Sequence, residues 1–458
     1  MPSLVFLIFV LLQAFVARAD YLSSGMLALK QGKYLQAREK LRVVIESSSD
    51  LDTSRLAAIG LSRACEETGE YDTAIATIEA AIENDRDSAP LWARLAELHL
   101  ITGQYRRTRR ELRKALDLDS QEPLARLVQA NLRAETGELE QAAMEYRWFV
   151  RRYNQIQPED ADTLMVIGQG AAQYARWESI SQIFRFIVND ICPDALKIDE
   201  HCWQAAVLSG TLLLEKYNQG QALPEFEAAL KINENCAAAH LGFAYAGLQD
   251  HKLEVADSFA DQALKVNPNS VEALLVKCQV QLLSDDDVVA RELIEQALAV
   301  HPVHQKVLAC KAITELFAQE FPTREEFESV LSQLSEPNDW QVSEHPFWET
   351  LKTMAVVNPR PGVFLNEVGG YLDARRKFEL AELFYRTAIE VMPQLSAPRT
   401  ALGMLAMRTG NVDEAEEILN DAFKSDPFHV RISNMRKVIG LLKSYEIVET
   451  DHFVIRVP

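Results

Sequence analysis

One short phrase recurs along this chain at a fixed interval, and no other feature limits the fold so tightly. It reads Ala81-Ile82-Glu83-Asn84-Asp85, then Ala115-Leu116-Asp117-Leu118-Asp119, then Ala229-Leu230-Lys231-Ile232-Asn233. It returns as Ala263-Leu264-Lys265-Val266-Asn267-Pro268, as Ala297-Leu298-Ala299-Val300-His301-Pro302, and near the end at Ala388 and Ala422, with Pro393 and Pro427 following. The steps 81 to 115, 229 to 263, 263 to 297 and 388 to 422 are all 34 residues, and Phe149 falls 34 after Ala115. Each period is one supersecondary unit that cannot bury its apolar face alone, so neighbours must stack. A stack lengthens without enlarging one core, which suits 458 residues with only 17 Pro and 18 Gly.

The residues inside a period predict two helices. From Ala89, the residues Trp92, Leu95 and Ala96 share one helix face, Gly103 and Tyr105 mark a turn, and Leu112 and Ala115 continue a second apolar face. Small residues at Ala96, Gly168, Gly210, Ala244, Gly369 and Gly403 let paired helices approach closely. Ala37, Ala74, Ala142, Ala256, Ala290, Ala381 and Ala415 do the same from the second helix, and proline ends it by breaking the hydrogen-bond ladder. This spacing, with its small positions and terminal prolines, resembles the tetratricopeptide-repeat (TPR) family over most of the chain beyond residue 20. The fold class expected is all-α: a TPR helix-turn-helix solenoid wound as a right-handed superhelix, with a short strand-like segment at the C-terminus. Clear units start near Ser23, Arg55, Ala89, Pro123, Thr163, Cys202, Ala237, Val271, Gly362 and Ser396. Ala297 to Ala388 is 91 residues, or 34 + 34 + 23, so about two units there are expected to be degenerate or interrupted. Glu320 to Pro361 is the irregular part, read as a divergent helix pair with a long loop or as a hinge.

The resemblance implies a mode of action. In the family the first helices line a concave groove that takes an extended peptide or a partner helix. By repeat position the groove candidates are Glu97, Asn131, Tyr245 and Gln279. The family's Lys-and-Asn clamp on a C-terminal carboxylate is not matched, because its positions hold Ala93 and Glu97 in one unit and Asn366 and Gly370 in another. A protein or peptide partner is therefore expected, with no cofactor and no small-molecule substrate.

Charge points the same way. The net of −20 argues against nucleic acid, whose binding relies on neutralised phosphates. One stretch departs from it: Pro90 to Asn154 holds 12 Lys and Arg against 9 Asp and Glu. Arg106, Arg107, Arg109, Arg110, Arg113 and Lys114 crowd one predicted helix, as a solvated outer face or as a docking patch for an acidic partner. No His-Glu-x-x-His helix, Gly-x-Ser-x-Gly elbow or phosphate-binding glycine loop is present. His301 and His304 read as a helix-end turn, and Gly168-Gln169-Gly170 as helix packing. No catalytic or metal-binding residue is assigned.

Leu4 to Val16 is apolar apart from Gln13, too short to span a bilayer comfortably, and Ala17-Arg18-Ala19 follows as a cleavage site. Export to a periplasm or secretion is the expectation, with the mature chain starting at Asp20 and membrane contact only if the segment stays uncleaved. Oxidising surroundings would permit disulfides, and Cys192 with Cys202, flanking a segment read as a loop, form the candidate pair. The organisation expected is a signal peptide over 1–19, repeat arrays over 20–154 and 155–304, and degenerate repeats over 305–361. C-terminal units with a capping helix over 362–445 and a strand-like tail over 446–458 complete it. The tail's Asp451-His452-Phe453-Val454-Ile455-Arg456 resembles the entry to a gluzincin-type metallopeptidase domain that follows such arrays, which implies that a longer chain would use the array to bind substrate or partner.

Overall fold

A computed structural model describes residues 21–156 and 158–457; the apolar N-terminal segment and its cleavage site lie outside them. Eleven helix pairs follow one another among the described residues. Units 1 to 4 are 21–30 with Tyr34–Ser47, Leu51–Glu67 with Tyr71–Asn84, Ala89–Ile101 with Tyr105–Leu118, and Pro123–Glu135 with Leu139–Ile156. Unit 5 pairs Ala161–Trp177 with a second helix that runs from Ser181 to Ile198 through one π-type turn at Ile187–Ile191. Units 6 to 8 are Trp203–Glu215 with Gln219–Ile232, Ala237–Gln249 with Leu253–Val266, and Val271–Leu283 with Asp287–Val300. Unit 9 pairs Gln305–Ala318 with Pro346–Val357, unit 10 Gly362–Ala374 with Phe378–Val391, and unit 11 Ala397–Arg408 with Val412–Ser425. Val430–Lys443 caps the stack.

Local chemistry sets these boundaries. The side chains of Asp50, Ser88, Asp160, Ser270 and Asp286 accept the first free N–H groups of their helices. Within a unit the small residues let the helices meet: a Cβ on Gly403 would lie 2.6 Å from Leu419, and one on Gly210 2.7 Å from Phe226. Alanines at the matching place in the second helices, from Ala37 to Ala415, are fully buried.

The 91 residues from Ala297 to Ala388 hold units 9 and 10, and only unit 9 is interrupted. Met354 stands 34 residues before Ala388 in the phrase position, so unit 9 carries about 23 extra residues between its helices. The extra segment includes the short helix Arg324–Leu331, started by a reciprocal cap between Thr323 and Glu326. Phe327 anchors it, buried among Phe347, Trp348 and Phe384 with ring centroids 5.2–5.8 Å apart. The tail also differs from a single strand. Glu446–Glu449 pairs antiparallel with Val454–Val457, Glu446 opposite Val457 and Glu449 opposite Val454. A lone strand has no partner for its ladder, and folding back supplies one.

The stack is wound so that one turn closes after five units. The end of each second helix seats on the helix–helix turn of the unit five places earlier. Asn233 and Asn235, ending unit 6, meet Gly32 and Tyr34 of unit 1. Asn267 and Asn269, ending unit 7, meet Gly69 and Tyr71 of unit 2. His301 meets Gly103 and Tyr105, and Asn358 with Arg360 meets Gly137 and Glu140.

Candidate functional site

The seam between successive turns is built from two kinds of residue. On one side is a turn residue in the left-handed region: Gly32, Gly69, Gly103 and Gly137, with φ between +69° and +77°. Glycine is required there twice over. L-residues resist this region, and a Cβ on Gly32 would lie 1.9 Å from Asn233 Oδ1. On the other side is the residue ending the later helix. Asn233 Nδ2 donates to Tyr34 Oη at 3.0 Å, and Asn235 Nδ2 to the Gly32 carbonyl at 3.2 Å. Asn267 Nδ2 donates to Tyr71 Oη and the Glu66 carbonyl, both at 3.2 Å, and Asn269 Nδ2 to the Gly69 carbonyl at 3.0 Å. Arg360 donates to the Gly137 carbonyl at 2.8 Å and grips Glu140 with two bonds of 2.7 and 2.6 Å. That grip holds the Glu140 carboxyl down to about 2. His301 fills the same place edge-on to Tyr105, and burial keeps its ring neutral, down to about 3.

From unit 5 onward the turn residue changes. Ser179, Tyr217, His251, Asp285 and Arg376 take φ of 56–61° without being glycine. Ser179 lines a cavity of about 650 Å³ in the seam at units 5 and 6, while beside it the Lys216 carbonyl accepts from Val430 N at 2.9 Å. Its floor comes from first helices: Arg176 and Glu215, joined by bonds of 2.9 and 2.6 Å, face Asn366, Glu367, Thr400 and Arg408. Its rim is aromatic. Phe184 stacks on Phe428 at 6.2 Å, and Tyr217 lies 4.9 Å from His429, whose ring burial depresses to about 4. Lys216 crosses the rim to Asp426 at 2.7 Å. The cavity thus offers apolar faces beside donors and acceptors of both charges.

Elsewhere in the interior, charged groups find partners within the chain. Arg94 is 2% exposed and bonds Glu66 and Glu97, the latter at 2.7 Å. Arg63 of unit 2 reaches Asp162 of unit 5 at 3.0 Å, and Gln305 of unit 9 reaches Glu135 of unit 4 at 2.8 Å. Lys306 is held above its ordinary value chiefly by Glu367, with Glu272 and Glu215 adding to it against burial. Burial would raise the Glu272 carboxyl, yet the hydrogen bond and charge of His304 hold it well below the usual range.

The four groove candidates are all half-buried. Glu97 pairs with Arg94, Asn131 accepts from Tyr146 Oη at 2.8 Å, and Tyr245 donates to Glu272 at 2.5 Å. Gln279 makes no side-chain hydrogen bond among the described residues. None of the four lines the cavity, which draws mainly on units 5, 6, 10 and 11, with His251 and Leu283 from units 7 and 8. Asn366 and Gly370, the departures from the carboxylate clamp, do line it. Sequence reasoning missed the seam. The signal was there in Gly-x-Tyr at 32–34, 69–71 and 103–105, answered by Asn-Pro-Asn at 267–269 and Asn-Pro at 358–359.

Cys192 and Cys202 stand as free buried thiols, and the segment between them is helical from Cys192 to Ile198, not the expected loop. The six cations of the basic helix are all exposed. Among the described residues no cluster of three metal-ligating side chains occurs, and no helix is long and apolar enough to cross a membrane.

Tetratricopeptide repeat family models match residues 28–98 and 399–429, which are units within the stack just described. The chain contains tetratricopeptide repeats. Its TPR units are similar to those of several solved structures. Yeast Tom70 shares 13% identity over 94% of this chain and 96% of its own, with a TM-score of 0.35. The human IFIT1 dimer with PPP-AAAA shares 14% over 92% and 94%, with a TM-score of 0.41. TTC0263, a thermophilic TPR protein of Thermus thermophilus, shares 22% over 45% of this chain and all of its own, with a TM-score of 0.30. No curated protein matches the chain.

Proposed function

We propose that this TPR protein is a non-catalytic, exported interaction scaffold that takes side chains of a partner protein into the cavity between units 5 and 6 and units 10 and 11. One observation carries the reading. Here the seam opens by about 650 Å³, a size in the range that accommodates a few side chains or a small ligand. Aromatic faces beside paired and unpaired polar groups suit a segment of protein better than a uniformly apolar ligand. Export rests on the apolar run Leu4 to Val16 and the small residues around Arg18, and N-terminal sequencing of the mature protein should begin at Asp20.

The cavity is tested by blocking it. A partner recovered with the intact protein from an envelope extract should be lost on Ala401→Trp, which fills the cavity, and kept on Met144→Glu, on the outer face. Retention by the cavity-filled variant, with its helicity intact, would place the partner elsewhere.

A second reading draws on the terminal hairpin. Ile447, Val448, Phe453 and Ile455 are exposed on it, Phe453 at 70%, so it offers apolar surface that the repeats do not cover. In this reading the hairpin opens a metallopeptidase domain, and the coding sequence after Pro458 should contain His-Glu-x-x-His; an immediate stop codon removes the idea.

A further inference from the structure

We propose that the outer face of the second helix of unit 3 is a docking surface for an acidic segment of another protein. Arg106, Arg107, Arg109, Arg110, Arg113 and Lys114 all point away from the core on Tyr105–Leu118. Arg109 reaches Glu138 at 2.7 Å, and Arg110 reaches Glu111 at 3.0 Å. Arg106, Arg107, Arg113 and Lys114 have no ion-pair partner among the described residues. Arg147 and Arg151, exposed on the second helix of unit 4, have none either and extend the positive field one helix along.

Beyond the pairs of Arg109 and Arg110, the cations of this face repel one another. Arg106 with Arg110, Arg109 with Arg113, and Arg110 with Lys114 are like charges four residues apart, a destabilising spacing on a helix. Arg106 and Arg107 also sit in the first turn, at the positive end of the helix dipole, with no acidic residue there to offset them. The anchoring is on the other face, where Glu111 and His99 meet at 2.6 Å in full burial and hold the helix in place. The unpaired cations Arg106, Arg107, Arg113 and Lys114 would be relieved by an anionic partner. The contrast with the rest of the chain is strong: Pro90 to Asn154 carries +3, and the remainder −23.

The chemistry favours carboxylates over phosphates. A 14-residue helix spans only about 20 Å, so a nucleic acid following it would run onto strongly acidic surface. No aromatic face is free beside the cations for bases to stack on. Trp148 is covered by Arg126 and Arg152 at 5.5 and 5.8 Å, and Tyr105 is committed to His301 in the seam. A short acidic peptide fits both the length and the spacing, since residues three and four apart on the helix stand about 5–6 Å from one another.

The test is fluorescence anisotropy of the full chain with a labelled peptide of alternating glutamate and alanine. Saturable binding at about 50 mM salt should weaken by roughly tenfold at about 300 mM. It should vanish for Arg106→Glu/Arg110→Glu/Arg113→Glu, and persist for Lys437→Glu, a control on the exposed face of the capping helix. Circular dichroism keeps misfolding apart from lost binding, and the milder Arg106→Gln/Arg113→Gln variant should bind at an intermediate level. No binding at low salt, equal binding by the triple variant, or tighter binding of oligo-dT or of phosphatidylserine vesicles than of the peptide would overturn the proposal.

Discussion

The seam under units 1 to 4 and the seam under units 5 and 6 are made from the same two parts, a left-handed turn and the end of a helix five units on. In the first they touch. Glycine removes every atom beyond the backbone, and asparagine side chains bridge the turn with bonds of 3.0–3.2 Å. In the second, Ser179 stands beside a cavity, and the contact is made at its edge, where Tyr217 lies 4.9 Å from His429 and the Lys216 carbonyl accepts from Val430 N at 2.9 Å. The difference teaches that the turn residue sets how the contact is made: glycine lets the helix end sit directly on the turn backbone, and a larger residue leaves space beside it. Gly410 keeps the left-handed conformation with no atom within 4 Å of its missing Cβ, so conformation alone explains it.

Acid should break the closed seam with the largest effect. His301 is held neutral at about 3 by burial, with His304 adding to it, while Tyr105 packs edge-on and Glu272 opposes the shift. The ring titrates near 6.5 in the unfolded chain, so below that pH the unfolded state gains protons first. The stabilisation is therefore whole above about pH 6.5 and is lost as pH falls toward 3, on the order of 4 kcal/mol. His301→Asn places there the residue that units 6, 7 and 9 use, and denaturant unfolding at neutral and mildly acidic pH should show a flatter acid limb. An unchanged limb would mean that His301 is not buried in the seam.

Glycine is the next lever. Gly32→Ala combines left-handed strain with the clash on Asn233, for a loss of about 3 kcal/mol. Gly410→Ala carries the strain alone, about 1–2 kcal/mol, so equal midpoints for the two variants would deny the inter-turn contact. Asn267→Ala strips partners from Tyr71 and the Glu66 carbonyl, and a loss of about 2 kcal/mol is expected. Gln394→Ala, at the cavity and without a side-chain hydrogen bond among the described residues, should move the midpoint hardly at all. The smallest effect is a gain. Ser179→Gly relieves a strained turn and should add about 0.5–1 kcal/mol, because no packed neighbour is lost.

The all-α repeat and its units were legible in the sequence because each period carries its own boundaries. Ala115, Gly103 and Pro302 report events within or between adjacent units, and a 34-residue repeat displays them directly. The gap after Ala297 was harder, since Met354 replaces the small residue of the phrase and hides the last regular period before Ala388. The site was less legible still. Groove positions such as Tyr245 were read from the family's open groove, but winding in five units turns them toward a paired interior. Winding depends on contacts nearly 200 residues apart, such as Asn233 with Tyr34, and no local pattern states which turn meets which helix end. The tail read as strand correctly by composition, while its fold-back depended on the short turn from Thr450 to Phe453.

The central claim is that the stack closes on itself after five units, tightly at its start and loosely farther on. Pulsed electron-spin distances measure it most directly, with one pair of labels at Lys33 and Glu234 and another at Ser179 and Gln394. The six native thiols are buried, which leaves introduced cysteines as the reactive ones. The account predicts a short, narrow distribution for the first pair and a longer, broader one for the second. A long, broad distribution between Lys33 and Glu234 would contradict it, because the turn of unit 1 and the end of unit 6 would then not meet.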